Sequence, residues 1–354
     1  MRYLKRLEKL RSTLAEKNIP ALLVSQPENR AYLSGFLGSS GYLLITATTQ
    51  ILATDFRYIE QAKEQAPSYV LLECKGKLDR WLVECLIELK QTELFFETDA
   101  LTYDDYSQIK TLFEPQELTL KPINGLVENL RMIKEIEEIA LIEKAVSISD
   151  NAIEHAAEII RTGMSEIELA WEIEKYMREN GSQPIPFAVI VAAGKNSALP
   201  HHRPSSYRIK EQEPIIIDIG ANWQGYSSDI TRTFCLGKRD EKFNQIYAVV
   251  LQAQAAAIEK VRHGMSGTEA DNIARTVIET AGYGSQFGHG LGHGIGLAIH
   301  EGPRLGISAQ NQLCDGMVFT IEPGIYLPDW GGIRIEDSVV MESGKIRTLS
   351  TAKK

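Results

Sequence analysis

Over the first ten residues, Met1 to Leu10, leucines recur at helical spacing among charged side chains, which predicts an amphipathic opening helix. Short apolar runs follow at Ala21–Val24, Tyr42–Ile45 and Gln50–Ala53. Polar and glycine-rich turns such as Gly38-Ser39-Ser40-Gly41 separate them, so they read as strands. Helical patterning returns over Asp55–Ala66 and Lys77–Leu89, with a further strand at Glu93–Glu97. This alternation predicts an α/β unit ending near Gly125. No cluster of chemically active residues stands out in it, which suits a supporting or dimerising domain.

A charged helix is expected from about Arg131 to Arg161, with Ile133, Ile136, Ala140 and Val146 broadly on one face, opening a second domain. The expected organisation is therefore residues 1–125 and 126–354, both of the α/β (α+β) class. The second domain contains a repeat: Arg161-Thr162-Gly163-Met164-Ser165-Glu166-Ile167-Glu168 returns as Arg262-His263-Gly264-Met265-Ser266-Gly267-Thr268-Glu269. Each copy carries Ser-x-x-Glu, a capping box that starts a helix running to Gly181 or Gly282. Two related halves would produce this pattern, and so would two helices that merely share a start signal.

The segments after each copy favour related halves. Ile215-Ile216-Ile217-Asp218 is a strand delivering a carboxylate, a turn spans Asn222–Tyr226, and Ser228-Asp229-Ile230-Thr231 delivers a second. Val318-Phe319-Thr320-Ile321-Glu322 and Ile333-Arg334-Ile335-Glu336 do the same in the second half. Side chains alternate along a strand, so Asp218 shares a face with Ile216 and Gly220, where an apolar residue would be expected. Four carboxylates converging in an interior repel each other unless cations neutralise them.

Five of the seven histidines fall in two short segments, His201 and His202, then His289, His293 and His300. The second segment, Gly288-His289-Gly290-Leu291-Gly292-His293-Gly294-Ile295-Gly296, is too rich in glycine for a stable helix and would let backbone approach a ligand closely. Four carboxylates with one imidazole form an oxygen-rich set suited to Mn²⁺ first, with Co²⁺, Fe²⁺ or Zn²⁺ compatible. Two such ions about 3.5–4 Å apart can share a water and lower its pKa toward neutrality, giving a hydroxide nucleophile.

Composition narrows the partners. The 354 residues suffice for two hydrophobic cores, and 38 basic against 47 acidic side chains give a net charge of -9, which repels nucleic acid and anionic lipid. The four cysteines form no C-x-x-C pair, and no apolar run approaches the roughly 20 residues a membrane span needs. A cytoplasmic protein binding neither nucleic acid nor membrane is expected.

These residues together resemble the family of methionine aminopeptidase, aminopeptidase P, prolidase and creatinase, whose catalytic domain has a duplicated "pita-bread" fold. Asp218, Asp229, His293 in Gly-His-Gly-Ile-Gly, Glu322 in Glu-Pro-Gly and Glu336 in Arg-Ile-Glu-Asp match the family's five metal ligands. Ser25-Gln26-Pro27-Glu28-Asn29-Arg30 and Asp55-Phe56-Arg57-Tyr58 are similar to the N-terminal domain that methionine aminopeptidases lack. The resemblance implies that Asp229 and Glu336 bridge or chelate two ions, His293 and Glu322 hold one, and Asp218 holds the other. It also makes Glu322 the proton acceptor from the nucleophilic water, gives His201 and His300 contact with substrate and the tetrahedral intermediate, and puts His289 in support. His202 is left as a loop neighbour. A homodimer is implied as well.

Proline offers no amide N–H, so its recognition relies on ring shape, and Phe187 and Ile299 match the prolidase pocket. Arg304 resembles the arginine with which prolidases bind a dipeptide's terminal carboxylate, and Arg334 is expected to support the metal carboxylates from its position two residues before Glu336. The reading is hydrolysis of Xaa-Pro dipeptides by a metal-bridging hydroxide. Aminopeptidase P, acting on longer proline-containing peptides, is the alternative. A creatinase-type reaction would leave the metal set superfluous, and a non-enzymatic scaffold would not need all five ligands.

Overall fold

A computed structural model describes residues 2–75, 78 and 80–354, and the chain divides into two compact units, Met1–Arg131 and Met132–Lys354. Met1 and Lys77, where two of the expected helices begin, lie outside the described residues.

The first unit is built on a six-stranded mixed sheet. Its order is Val70–Glu73, Gln50–Thr54, Tyr42–Thr46, Ala21–Val24, Glu93–Glu97 and Thr119–Ile123. The central strand Ala21–Val24 is buried along its whole length, which is why its four residues are all apolar. Helices Arg2–Glu16, Arg80–Glu88 and Tyr103–Phe113 are among those that surround the sheet in sequence, and Leu82, Leu86, Ile109 and Phe113 pack in one core with Leu23, Leu44 and Leu94. The expected helix Asp55–Ala66 is a short 3-10 turn, Phe56–Tyr58, followed by Ile59–Gln65. Asp55 accepts from the backbone N–H of Arg57 and so starts that turn.

The single charged helix expected from Arg131 to Arg161 is two helices, Leu126–Met132 and Ile136–Ile159. The break has a local cause, since Glu135 and Glu138 form a capping box that starts the second helix afresh. Its buried face consequently runs through Ile142, Val146, Ser149 and Ile153, whereas Ile133, Ile136 and Ala140 are exposed.

The second unit has two halves of like construction. In the first, helices Ile136–Ile159 and Glu166–Glu179 pack on a three-stranded antiparallel sheet ordered Ile230–Phe234, Ile215–Ile219, Ile190–Ala193. In the second, Glu241–Lys260 and Gly267–Thr280 pack on a five-stranded sheet ordered Glu301–Leu305, Gly292–Gly294, Val318–Ile321, Asp337–Glu342, Lys345–Thr348. Both repeat helices open on complete capping boxes, Ser165 with Glu168 and Ser266 with Glu269. Gly181 and Gly282 follow each helix in the left-handed conformation that terminates it. The two sheets meet where Glu336 donates its N–H to the Thr231 carbonyl, 3.1 Å away. Residues from both halves therefore reach one centre.

Candidate metal centre

Asp218 lies on strand Ile215–Ile219, opposite Thr231 in antiparallel register. Ile215, Ile217 and Ile219 point into the core of the first half, and Asp218 takes the other face with Ile216. Asp229 precedes strand Ile230–Phe234. In the second half, Glu322 follows Val318–Ile321 and Glu336 precedes Asp337–Glu342, two strands paired with Ile321 opposite Asp337. Each half thus supplies one carboxylate at the end of a strand and one at the start of its antiparallel partner. All four line a single cavity of about 810 Å³ together with His201, His289, His293, His300, Arg304, Arg334 and Phe187.

The ligand atoms of Asp229, His293 and Glu336 lie within 4.8 Å of one another. His293 Nε2 is 3.6 Å from Asp229 Oδ2 and 3.4 Å from Glu322 Oε1. Its Nδ1 donates to the Gly294 carbonyl, which leaves Nε2 as the lone-pair nitrogen facing the acids. Burial lowers the His293 imidazole to about 3, with the nearby His300 ring adding to the effect, so it is neutral. Burial and the neighbouring acids Glu336, Asp218 and Glu322 raise the Asp229 carboxyl well above its usual range. Glu336 is raised in the same way, and burial lifts Glu322 to about 7.

The donor set fits divalent ions. Asp218 Oδ1 is buried with no hydrogen-bond partner among the described residues, while Oδ2 accepts from Arg334 Nη2 at 2.6 Å. Thr231 Oγ1 donates to Glu336 Oε2 at 2.6 Å and Thr320 Oγ1 to Glu322 Oε1 at 3.1 Å, each fixing the orientation of a carboxylate. Four converging buried acids and a neutral imidazole are a poor arrangement without positive charge and a good one with it.

Arg334, expected to support the metal carboxylates, donates to Asp218, and also to Thr231 and Tyr326. Its Nη1 donates to the Tyr326 hydroxyl, which in turn donates to His289 Nε2 at 2.9 Å. Burial lowers His289 to about 4, so it accepts as a neutral ring. His300 stacks edge-on against His293 with ring centroids 4.3 Å apart.

Ile299 is the exception among the expected site residues. It packs against the cluster containing Ile142, Val146 and Ile295 and is not among the cavity's lining residues; Ile190 and Ile307 are the larger aliphatic residues there that are not buried in a core, beside Phe187. The glycines around His293 have a second cause besides the one expected. A Cβ at Gly292 would overlap the Thr320 carbonyl, and one at Gly294 the Gly302 carbonyl, so both glycines admit neighbouring strands, while Gly290 and Gly292 also line the cavity. Thr231, Thr320 and Tyr326 escaped the sequence reading. The two threonines lie two residues from Asp229 and Glu322 in strands, and period-2 spacing could have found them.

Residues 140–343 match the model of metallopeptidase family M24 and residues 6–133 the creatinase/prolidase N-terminal domain. An Xaa-Pro dipeptidase of Pyrococcus furiosus is 40% identical over 349 residues, 98% of each chain. Among solved structures, an Xaa-Pro dipeptidase from Bacillus anthracis superposes with a TM-score of 0.96 at 40% identity, covering 99% of this chain and 98% of its own. An X-Pro aminopeptidase from Thermotoga maritima superposes with a TM-score of 0.90 at 35% identity, covering 98% of both chains.

Proposed function

The chain belongs to metallopeptidase family M24, and from that premise we propose that it is an Xaa-Pro dipeptidase acting with two divalent ions, Mn²⁺ first among them. Asp218, Asp229, His293, Glu322 and Glu336 would hold the ions, with Asp229 and Glu336 shared between them. When bound, such a pair lowers the pKa of a shared water and polarises the scissile carbonyl.

The protein's own groups account for the remainder. Glu322 accepts the proton of the attacking water. His201 and His300, on the cavity wall, bind the substrate and donate to the oxygen that gains charge in the tetrahedral intermediate. His289, held by Tyr326, supports the same wall. Phe187, with Ile190 and Ile307 nearby, offers the apolar surface a proline ring requires.

The observation that carries the dipeptidase reading is a register: Arg304 stands directly opposite His293 in the antiparallel pair Gly292–Gly294 with Glu301–Leu305. Cross-strand partners share a face with their Cβ atoms about 4.5–5.5 Å apart. A residue spans roughly 3.3–3.6 Å, so a guanidinium rooted there meets a carboxylate one residue beyond the scissile bond. The Arg304 side chain has no protein partner among the described residues and is exposed to the cavity.

Hydrolysis of Ala-Pro, Ala-Pro-Ala and Ala-Ala by the Mn²⁺-loaded protein, against a chelated control, tests this. Preferential cleavage of Ala-Pro is expected. Preference for Ala-Pro-Ala would move the assignment to aminopeptidase P, a reading favoured by the continuation of the cavity past Arg304 to Gln310 and Asn311. A cytoplasmic homodimer completes the proposal. The free cysteines support a reduced compartment, and sedimentation equilibrium at twice the monomer mass checks the dimer.

A further inference from the structure

The repeat does more than duplicate two helices. In the first half the Glu166 N–H donates to the Tyr207 carbonyl at 3.1 Å and the Ile167 N–H to Ser205 at 3.2 Å. In the second, Gly267 donates to Asn311 and Thr268 to Ala309, both at 2.9 Å. Flanking bonds repeat as well: Gly163 and Ile209 N–H groups reach Ile209 and Met164 carbonyls, as Gly264 and Leu313 reach Leu313 and Met265. The first N–H groups of a helix have no partner inside it, and here both copies spend them on a loop. The first loop, docked through Ser205, Tyr207 and Ile209, runs on directly from Pro200–Pro204, and the second, docked through Ala309, Asn311 and Leu313, from Arg304–Asn311; these two stretches are walls of the substrate cavity.

The side chains at the docking points differ. Glu166, whose side chain is fully buried, accepts from the Ala193 N–H and Asn196 Nδ2 through Oε1, and from His202 Nε2 and the Ser205 N–H and hydroxyl through Oε2. Five donors on one carboxylate fix the segment that presents His201. The equivalent position in the second half is Gly267, where a Cβ would overlap the Arg304 carbonyl, so the loop backbone closes directly on the helix. The helix start holds this wall through the Thr268 hydroxyl, 3.1–3.3 Å from the carbonyls of Gly306, Ile307 and Ala309, while Asn311 Oδ1 accepts from the Arg304 N–H at 3.1 Å within the wall itself.

We propose that these duplicated helix starts are the positioning devices of the pocket, Glu166 for the wall that carries His201 and Thr268 for the wall that carries Arg304. What each wall does rests on the dipeptidase reading above; that each is set separately does not. Glu166→Gln places an amide nitrogen against two or three of the five donors, depending on which oxygen it replaces, and Thr268→Val removes a hydroxyl at nearly constant shape. In the Mn²⁺-loaded protein, Glu166→Gln is expected to speed hydrogen exchange across residues 193–205 alone. It should lower kcat for Ala-Pro and Ala-Pro-Ala by about tenfold or more with KM nearly kept. Thr268→Val is expected to speed exchange across 304–311 alone and to raise KM for Ala-Pro about tenfold, with kcat kept. Bound metal per chain should be unchanged in both.

Exchange that spreads to both walls, a loss of metal, or kcat and KM moving alike in the two variants would overturn the proposal. If the unmodified protein cleaves no Ala-Pro, the dipeptidase reading fails, while exchange and metal content still decide the positioning. Ser205→Ala, which removes one of the five donors, reads the first wall if Glu166→Gln does not fold; unaltered exchange and kcat in it would count against Glu166.

Discussion

Arg334 Nη2 lies 2.6 Å from Asp218 Oδ2 in a pair almost wholly buried between the two halves of the catalytic unit. The arrangement uses one carboxylate oxygen and leaves Oδ1 without a partner among the described residues. Arg334→Met would free Oδ2 as well and detach the Tyr326 hydroxyl, letting Asp218 rotate. A loss of about 10–100-fold in metal affinity is expected, measured by competition with a chelator. Arg334→Lys, which keeps the charge but not the fork, should recover only part. Unchanged affinity in the methionine variant would remove Arg334 from the support of the site.

Asp229 and His293 face each other at 3.6 Å, and both contribute to the three-residue group closest to a metal-binding geometry. Asp229→Asn or His293→Ala should cost several orders of magnitude in turnover, because activation of the water depends on the ions. Circular dichroism should remain that of a folded protein, since relieving crowded acids does not open a core. Full turnover by either purified variant would be incompatible with the metal assignment.

Arg304 gives a sharper test of substrate length. A charge-assisted hydrogen bond contributes about 1.5–3 kcal/mol, so Arg304→Ala should raise KM for Ala-Pro by roughly ten- to a hundredfold. Ala-Pro-Ala, whose carboxylate lies one residue further out, should be affected less. Equal losses on both peptides would return Arg304 to an ordinary loop residue.

Much of this was legible in the chain, for reasons that differ by residue. Asp218 betrayed itself by interrupting three isoleucines, and the repeat by two capping boxes, because both are local patterns. Ile299 is not legible in this way, since a residue just before His300 can turn either way and only packing against the cluster of Ile142 and Val146 decides it. Glu166 was invisible as a functional residue: a glutamate in the first turn of a helix is ordinary, and its five donors come from residues 193–205. Spacing suffices to make Arg334 a support of the metal carboxylates, and only the fold shows which one, because Asp218 lies in the other half.

The same Glu166 gives a pH dependence with a definite sign. Burial opposes its charge, but hydrogen bonds from Ala193, Asn196, Ser205 and His202 outweigh that and hold the carboxyl below its ordinary value of 4.5. A group depressed in the folded state stabilises fully above its unfolded pKa and loses that contribution as pH falls through the folded pKa. Urea unfolding of the native chain and Glu166→Gln should therefore differ by a constant amount near neutrality, and the gap should narrow below pH 4.5. A gap that widens on acidification would contradict the lowered pKa.

Two glycines of the His293 segment separate a packing role from a ligand-approach role. Gly294 follows His293 in a three-residue strand, and a methyl there would overlap the Gly302 backbone of the adjacent strand. Backbone cannot yield as a flexible side-chain tip can, so Gly294→Ala should cost about 1–3 kcal/mol. The separated strand would also carry His293 Nε2 away from Asp229 and Glu322, now 3.6 and 3.4 Å distant. Stability and metal content should thus fall together. Gly288 belongs to the same run, but a Cβ there meets nothing within 4 Å, so Gly288→Ala should stay within about 0.5 kcal/mol and keep its metal. If Gly294→Ala proved stable and metal-replete but failed to bind substrate, the glycines would be there for the ligand after all, and the close approach to Gly302 would be incidental.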